Sequence, residues 1–157
     1  MHSRIFQIST RPIEDDFLTP SSLYDNSSDF ADYIGDELEG NERLECIEHL
    51  AETLSDLFDY DKADGTLIYK GLGTFLDDWA NAIKEQANAI NADNILKNLN
   101  LYKLESILNR THRNIYYRFY SEDYNNYAGP ASDLIEWLNT LEKGTRLYIG
   151  SVIDYHF

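Results

Sequence analysis

Glu42-Arg43-Leu44-Glu45-Cys46-Ile47-Glu48-His49-Leu50-Ala51-Glu52-Thr53-Leu54-Ser55-Asp56-Leu57-Phe58-Asp59 carries the clearest periodic signal in the chain. At about 100° per residue, Leu44, Ile47, Leu50, Ala51, Leu54, Leu57 and Phe58 fall on one stripe. Glu45, Glu48, Glu52, Asp56 and Asp59 gather on the opposite face. The spacing predicts an amphipathic helix over 42–59 with a ladder of acids on its outer side. Like charges at i, i+4 cost about 0.2–0.5 kcal/mol each in an isolated helix, so the apolar stripe must dock on a core to hold the ladder.

Toward the N-terminal side, Arg4 to Thr10 reads as a short strand stopped by Pro12. Residues 11–28 mix Pro, Ser, Asp and Asn and predict an ordered loop with one helical turn after Pro20. Ser27 or Ser28 then offers an N-cap to a helix carrying Phe30, Tyr33, Ile34 and Leu38. On the other side, Asp64-Gly65 is a turn leading into a strand at Thr66–Lys70. A third amphipathic helix follows, with Leu72, Phe75, Leu76, Trp79, Ile83 and Ile90 on one face. Two shorter helices start at Asp93 and Asn100, and Asn114 to Ser121 reads as a Tyr-rich strand. A polar loop ends at Gly129-Pro130, a helix spans Asp133 to Leu141, and Thr145 to Tyr155 is a β-rich run interrupted at Gly150. The pattern predicts a single helix-rich α+β domain over 1–157, with a small sheet of about four strands packed by amphipathic helices and the terminal strands paired within it.

The charge is unevenly placed. The 157 residues hold 28 acids against 13 Lys and Arg, a net −15. Residues 14–64 contain 17 of those acids and only two bases, Arg43 and Lys62, so the whole net charge belongs to this acidic N-terminal portion. From Lys97 to Arg118 the bias reverses, with five bases and His112 against the single acid Glu105. Such asymmetry marks an interaction surface or two faces that meet. An aromatic share of 13 %, with 12 Tyr, excludes a disordered acidic chain. A lone cysteine, Cys46, excludes a disulfide framework and a four-cysteine zinc site. The acidity also argues against gripping nucleic acid through phosphate contacts. With no apolar segment approaching the roughly 20 residues that cross a bilayer, and no signal-like start, the expectation is a cytoplasmic protein without membrane contact.

The motifs that carry chemistry are sparse. Asp59 to Leu67 alternates oxygens before Gly65 in the manner of a calcium loop, but Tyr60 and Lys62 stand where ligands belong and Gly71 where a bidentate Glu is required. Cys46 and His49, and Glu45 and His49, have helical metal-site spacings without two further ligands, so no metal or cofactor is expected. An acid-rich helix disfavours a thiolate at Cys46, and no catalytic residue is predicted. The chain lacks the phosphate-binding Gly patterns and the nucleophile and zinc-protease motifs, and Gly71-Leu72-Gly73 is too short to define a nucleotide site. From Arg110 to Tyr120, bases and aromatics interleave. On a strand, Tyr116, Arg118 and Tyr120 share one face and Ile115, Tyr117 and Phe119 the other. An exposed Tyr-Arg-Tyr face is a stacking surface for single-stranded RNA, whereas the surrounding acidity favours a half-buried strand.

The resulting expectation is a non-catalytic acidic protein that binds a basic partner surface through Glu45, Glu48, Glu52, Asp56 and Asp59. Its sharpest form is a DNA mimic of the antirestriction kind, since carboxylates one helical turn apart, about 5–6 Å, resemble phosphates along a strand. One alternative is a small enzyme or ligand-binding domain with a pocket built from Tyr116, Tyr117, Tyr120, Tyr124 and Tyr127. Another is a homo-oligomeric structural protein in which segment 97–118 of one copy meets the acidic helix of the next.

Overall fold

The apolar run from Leu147 to Ile153 becomes the hub of the sheet. A computed structural model of the protein describes residues 1–23 and 30–157. In chain order the elements are β1 (His2–Ser9), α1 (Pro20–Leu23), β2 (Tyr33–Glu37), α2 (Gly40–Thr53), β3 (Phe58–Asp61), β4 (Thr66–Tyr69), α3 (Phe75–Ala89), α4 (Asn98–Arg110), β5 (Arg118–Ser121), β6 (Asn125–Gly129), α5 (Ala131–Leu138) and β7 (Arg146–His156). The strands form one mixed sheet in the order β3-β4-β7-β1-β5-β6, with β2 also paired to β7. The α+β class is as expected, but among the described residues the sheet has seven strands rather than about four, so the chain is less dominated by helix than the pattern predicts.

β7 is flanked by β1 along almost its full length, from His2↔His156 to Ser9↔Tyr148. Its other edge is shared: β4 covers Arg146 to Tyr148, and β2 covers Ile153 to His156. The two chain ends thus pair inside the sheet. β1 and β5 are the parallel pair. Between Phe6 and Ile8 the register slips by one residue, which places a β-bulge at Gly150-Ser151 of β7. β7 is therefore continuous, and the predicted interruption at Gly150 is a bulge. A Cβ at Gly150 would overlap the Gln7 side chain and Ile13, so only glycine fits. Gln7 is buried there; its Oε1 accepts from the amides of Leu18 at 2.9 Å and Ser151 at 3.2 Å.

The bulge sets the two faces of the sheet. On one, Phe6, Ile8, Phe119, Leu147, Ile149 and Val152 meet Ile47, Leu50 and Ala51 of α2 with Leu54 just past its end, Leu134, Ile135, Trp137 and Leu138 of α5, and Phe75. On the other, Ile5, Ile153 and Tyr155 meet Leu18, Leu23, Ile34 and Ala128, with Phe30, Tyr120 and Phe157 packed at the margin. The helical turn expected after Pro20 is α1. α3 and α4 pack mainly on each other, joined by Trp79 Nε1 donating to the Ile107 carbonyl at 2.7 Å, and Leu96, Leu99, Leu101 and Leu108 remain exposed.

Three expectations are corrected. The segment expected as a helix carrying Phe30, Tyr33, Ile34 and Leu38 instead contains β2 (Tyr33–Glu37): Gly35 weakens helix, and its missing side chain lets β2 pass Asp154, whose Oδ2 would lie 3.0 Å from a Cβ. The proposed caps Ser27 and Ser28 lie outside the described residues. The acid-ladder helix ends at Thr53, and Leu57 and Phe58 enter a hairpin with Gly65 (φ +65°) at its turn, because Phe58 pairs with Tyr69 across β3 and β4. The strand predicted from Asn114 starts at Arg118, and the polar loop before Pro130 contains β6, which pairs Phe119↔Gly129.

Arg43 fills the stretch of the β7 edge between β4 and β2. Its guanidinium donates to the carbonyls of Ile149 at 2.8 Å and Gly150 at 2.8 Å and 3.2 Å, while the Leu38 amide takes the Val152 carbonyl at 2.8 Å. Arg43→Ala should destabilise the protein by about 2–4 kcal/mol in chemical denaturation, since it leaves charged-donor hydrogen bonds to buried carbonyls unmade; a loss below about 0.5 kcal/mol would contradict this role.

Asp123 ties the end of β1 to the β5–β6 turn. Burial alone would raise its carboxyl, but the Thr10 amide at 2.7 Å, the Thr10 hydroxyl at 2.9 Å, Ser9 at 3.1 Å and Arg11 at 3.2 Å outweigh it and hold the group below its usual 3.8. A lowered folded-state pKa gives stability that is present above the unfolded value and lost as pH falls through the folded one. Asp123→Asn should therefore cost about 1–3 kcal/mol at neutral pH. It should also flatten the fall in stability below about pH 4, as measured by denaturant titrations across pH.

Candidate binding surfaces

The five residues of the expected acid ladder do not share one helix face. Glu45, Glu48 and Glu52 lie on α2, Asp56 in the turn after it and Asp59 on β3. Three of them are ion-paired inside the chain: Glu48 with Lys62, Asp56 with Arg113 at 2.6 Å, and Asp59 with Lys70 at 3.2 Å. The calcium-like segment is the β3–β4 hairpin, and it turns Asp61 and Asp64 onto Arg146 at 3.1 Å and 3.0 Å. Asp61 also accepts from the Ala63 amide at 3.2 Å, and the Arg146 bond, with those turn amides, lowers its pKa. Each of these pairs is at least partly solvent-exposed, so each contributes little to stability.

A different set of acids is left over. Asp36, Glu37, Glu39, Glu42, Glu45 and Glu52 are exposed, and among the described residues none has a cation within ion-pairing distance. They follow β2, the connection into α2 and the outer side of α2. Glu42 stands in the first helical turn, where the backbone dipole favours negative charge. Beside this strip lies a cleft of about 600 Å³ lined by Arg4, Glu42, Glu45, Cys46, His49 and Tyr117, among others. Cys46 is partly buried against the core, and His49 stands edge-on to the Tyr117 ring at 6.2 Å. The Arg4 guanidinium bonds Asp154 and reaches the Cys46 sulfur; burial works against its charge, but these partners outweigh it and raise its pKa. Among the described residues, no group of three His, Cys, Asp or Glu side chains is placed to hold a metal ion.

Tyr116, Arg118 and Tyr120 are half-buried rather than an open stacking face. Arg118 lies over the Phe30 ring at 4.0 Å and donates to the Ala128 carbonyl at 2.9 Å and to the Tyr155 hydroxyl. Tyr155 in turn donates to the Tyr116 carbonyl at 2.6 Å. Tyr116 stacks on Phe157 at 5.4 Å and carries Arg110 over its ring at 4.0 Å. Tyr120 packs into the second core cluster. Of the other tyrosines expected around a pocket, Tyr117 is buried further, while Tyr124 and Tyr127 bond Glu136 and Asp133 on α5. The Tyr124 hydroxyl is pushed up to about 12 by Glu136.

Between these groups is a cavity of about 340 Å³ lined by Phe30, Glu105, Arg110, Tyr116, Arg118 and Phe157, among others, with Tyr155 also on its wall. Burial lowers the Arg118 pKa, and the nearby Arg110 adds to that effect. Burial likewise raises Tyr155. Phe30, Tyr155 and Phe157 were not singled out by the sequence as site residues. Arg110 opens the interleaved stretch 110–120 and carried a signal, but nothing local tells that Phe30 and Phe157, 127 positions apart by number, reach the same cavity. Comparisons with protein-family models, with curated proteins and with solved structures find no match.

Exposed acids without partners repel one another, and Glu45 and Glu52 both flank Glu48 on α2. Replacing both, Glu45→Gln with Glu52→Gln, should leave the fold intact and raise stability at low salt by about 0.2–1 kcal/mol. Thermal melts at low and high ionic strength check this: the gain should vanish at high salt, and a loss at low salt would show that these carboxylates are engaged within the fold.

Proposed function

We propose that the protein is a non-catalytic acidic interaction protein, which binds a basic partner surface through the strip of carboxylates from Asp36 to Glu52. What supports this is one observation: Asp36, Glu37, Glu39, Glu42, Glu45 and Glu52 are exposed along one stretch of chain, and among the described residues none of them has a cation within ion-pairing distance. Such a strip raises the local concentration of cations and steers a positively charged surface onto itself. Carboxylates on successive helical turns repeat at about 5–6 Å, a spacing that a surface shaped for phosphates accepts. A DNA-mimic inhibitor of a DNA-binding protein is the most specific form of the proposal.

The test compares the wild-type protein with a variant carrying Glu39→Gln, Glu42→Gln, Glu45→Gln and Glu52→Gln, each immobilised and exposed to cell extract at low salt. The wild type should retain basic proteins that the variant releases or holds at least about tenfold more weakly, with retention falling steeply as salt rises. Duplex DNA added as competitor should displace a DNA-binding partner. Equal retention by the two proteins would overturn the acidic-strip proposal, and retention that DNA does not affect would overturn the mimic form.

A further inference from the structure

Arg110 and Arg118 are unusual among the chain's bases. Arg4, Arg11, Lys62, Lys70, Arg113 and Arg146 each face a carboxylate at ion-pairing distance, and Arg43 is held by backbone carbonyls. Lys84, Lys97, Lys103 and Lys143 have no such carboxylate among the described residues but are exposed to water; Arg110 and Arg118 also have none, yet both are half-buried, where a charge needs a partner most. They reach the same cavity from different elements, Arg110 from the end of α4 and Arg118 from the start of β5. Their positions are fixed before any ligand arrives. Arg118 is held by Phe30, Ala128 and Tyr155; Arg110 lies over Tyr116 and donates to the Tyr102 hydroxyl at 3.1 Å.

We propose that this cleft binds a small planar organic anion, its oxyanion held between the Arg110 and Arg118 guanidiniums and its ring lying against the aromatic walls of Phe30, Tyr116, Tyr155 and Phe157. Guanidinium forks match carboxylate and phosphate oxygens geometrically. Aromatic walls supply apolar area and stacking at little entropic cost. The volume of about 340 Å³ is that of a pocket for one ring-bearing molecule and is too small for a run of stacked bases. Glu105 also lines the cavity, and its carboxylate disfavours an anion of high charge. The shared chemistry is an oxyanion on a flat ring, and it has two sources, a phosphate on a nucleoside or a carboxylate on an aromatic ring. The proposal is independent of the acidic strip, which contributes none of the cavity's lining.

The experiment is an NMR titration of the isotope-labelled full chain with four probes: a nucleoside 5′-monophosphate, the same nucleoside without phosphate, indole-3-carboxylate and inorganic phosphate. One of the two ring-bearing anions should produce saturable shifts at Arg110, Tyr116, Arg118 and Phe157 with millimolar or tighter affinity. Which of them does so identifies the source. The neutral nucleoside and inorganic phosphate should each bind at least about tenfold more weakly. Arg110→Gln should weaken binding by about tenfold or more, while Lys143→Gln, outside the cavity, should not. No saturable shift with either ring-bearing anion would overturn the proposal, as would shifts centred elsewhere or unchanged affinity in Arg110→Gln. Equal binding of inorganic phosphate would overturn the role given to the aromatic walls. The comparison of charged with neutral probe on wild-type protein stands even if the variant folds poorly.

Discussion

The place of Arg43 on β7 is the constraint on which the rest of the architecture rests. A strand shared along one edge by two short neighbours has a stretch where no strand runs, and its carbonyls there need donors. Arg43 supplies them from the first turns of α2, at the point where Gly150 opens the bulge. That bond fixes how α2 lies on the sheet. With Arg43 turned inward, Ile47, Leu50, Ala51 and Leu54 meet the core and Glu45 and Glu52 face out. On the opposite strand, Gln7 holds the bulge to the segment around Leu18, so one irregularity in β7 orders elements on both faces. One of the two bases in the acidic portion is thus a structural donor, which is why that portion presents so little positive charge to solvent.

The charge distribution of the folded chain differs from that of the linear one. Along the sequence the acids of 14–64 form one block, but folding separates them by use. Those near the β3–β4 hairpin are brought against Lys62, Lys70, Arg113 and Arg146, three of which come from other parts of the chain. Asp36, Glu37, Glu39, Glu42, Glu45 and Glu52 have no ion pair among the described residues, and within that stretch only Glu48 is met, by Lys62. The basic segment 97–118 is divided in the same way. Arg113 goes to Asp56, Arg110 and Arg118 go to an aromatic cleft, and Lys97 and Lys103 are left without an ion pair among the described residues.

Periodicity made the apolar side of α2 legible, because the same stripe serves helix and core; Ile47, Leu50 and Leu54 are fully buried. It failed at Leu57 and Phe58, which fit a helical stripe and a strand equally, and the deciding factor was the pairing of Phe58 with Tyr69. β2 and β6 were missed for a related reason. Each is short and holds a glycine, Gly35 and Gly129, and each exists because a neighbouring strand offers an edge, β7 to β2 and β5 to β6. The alternation at 115–120 was read correctly as two faces, with Phe119 in one core cluster and Tyr120 in the other. What covers the Arg118 face was not legible, since Phe30, Tyr155 and Phe157 reach it only through the pairing of the terminal strands.

The two surfaces lie in one electrostatic field, and salt acts on them in opposite senses. A basic partner approaching the strip at Asp36–Glu52 is attracted by the local carboxylates and by the net −15 together, so screening weakens its association. A small anion entering the cleft is attracted by Arg110 and Arg118 at contact but repelled by the net charge at longer range. Inside a half-buried cavity the contact interaction is screened much less than the long-range repulsion. Added salt therefore removes more of the opposition than of the attraction, until it competes for the guanidiniums directly. The aromatic walls sharpen this separation, because stacking and apolar burial carry no long-range field. A chain this acidic can hold an anion only where the cations are recessed and the ring does part of the binding, and Arg110 and Arg118 stand in such a place.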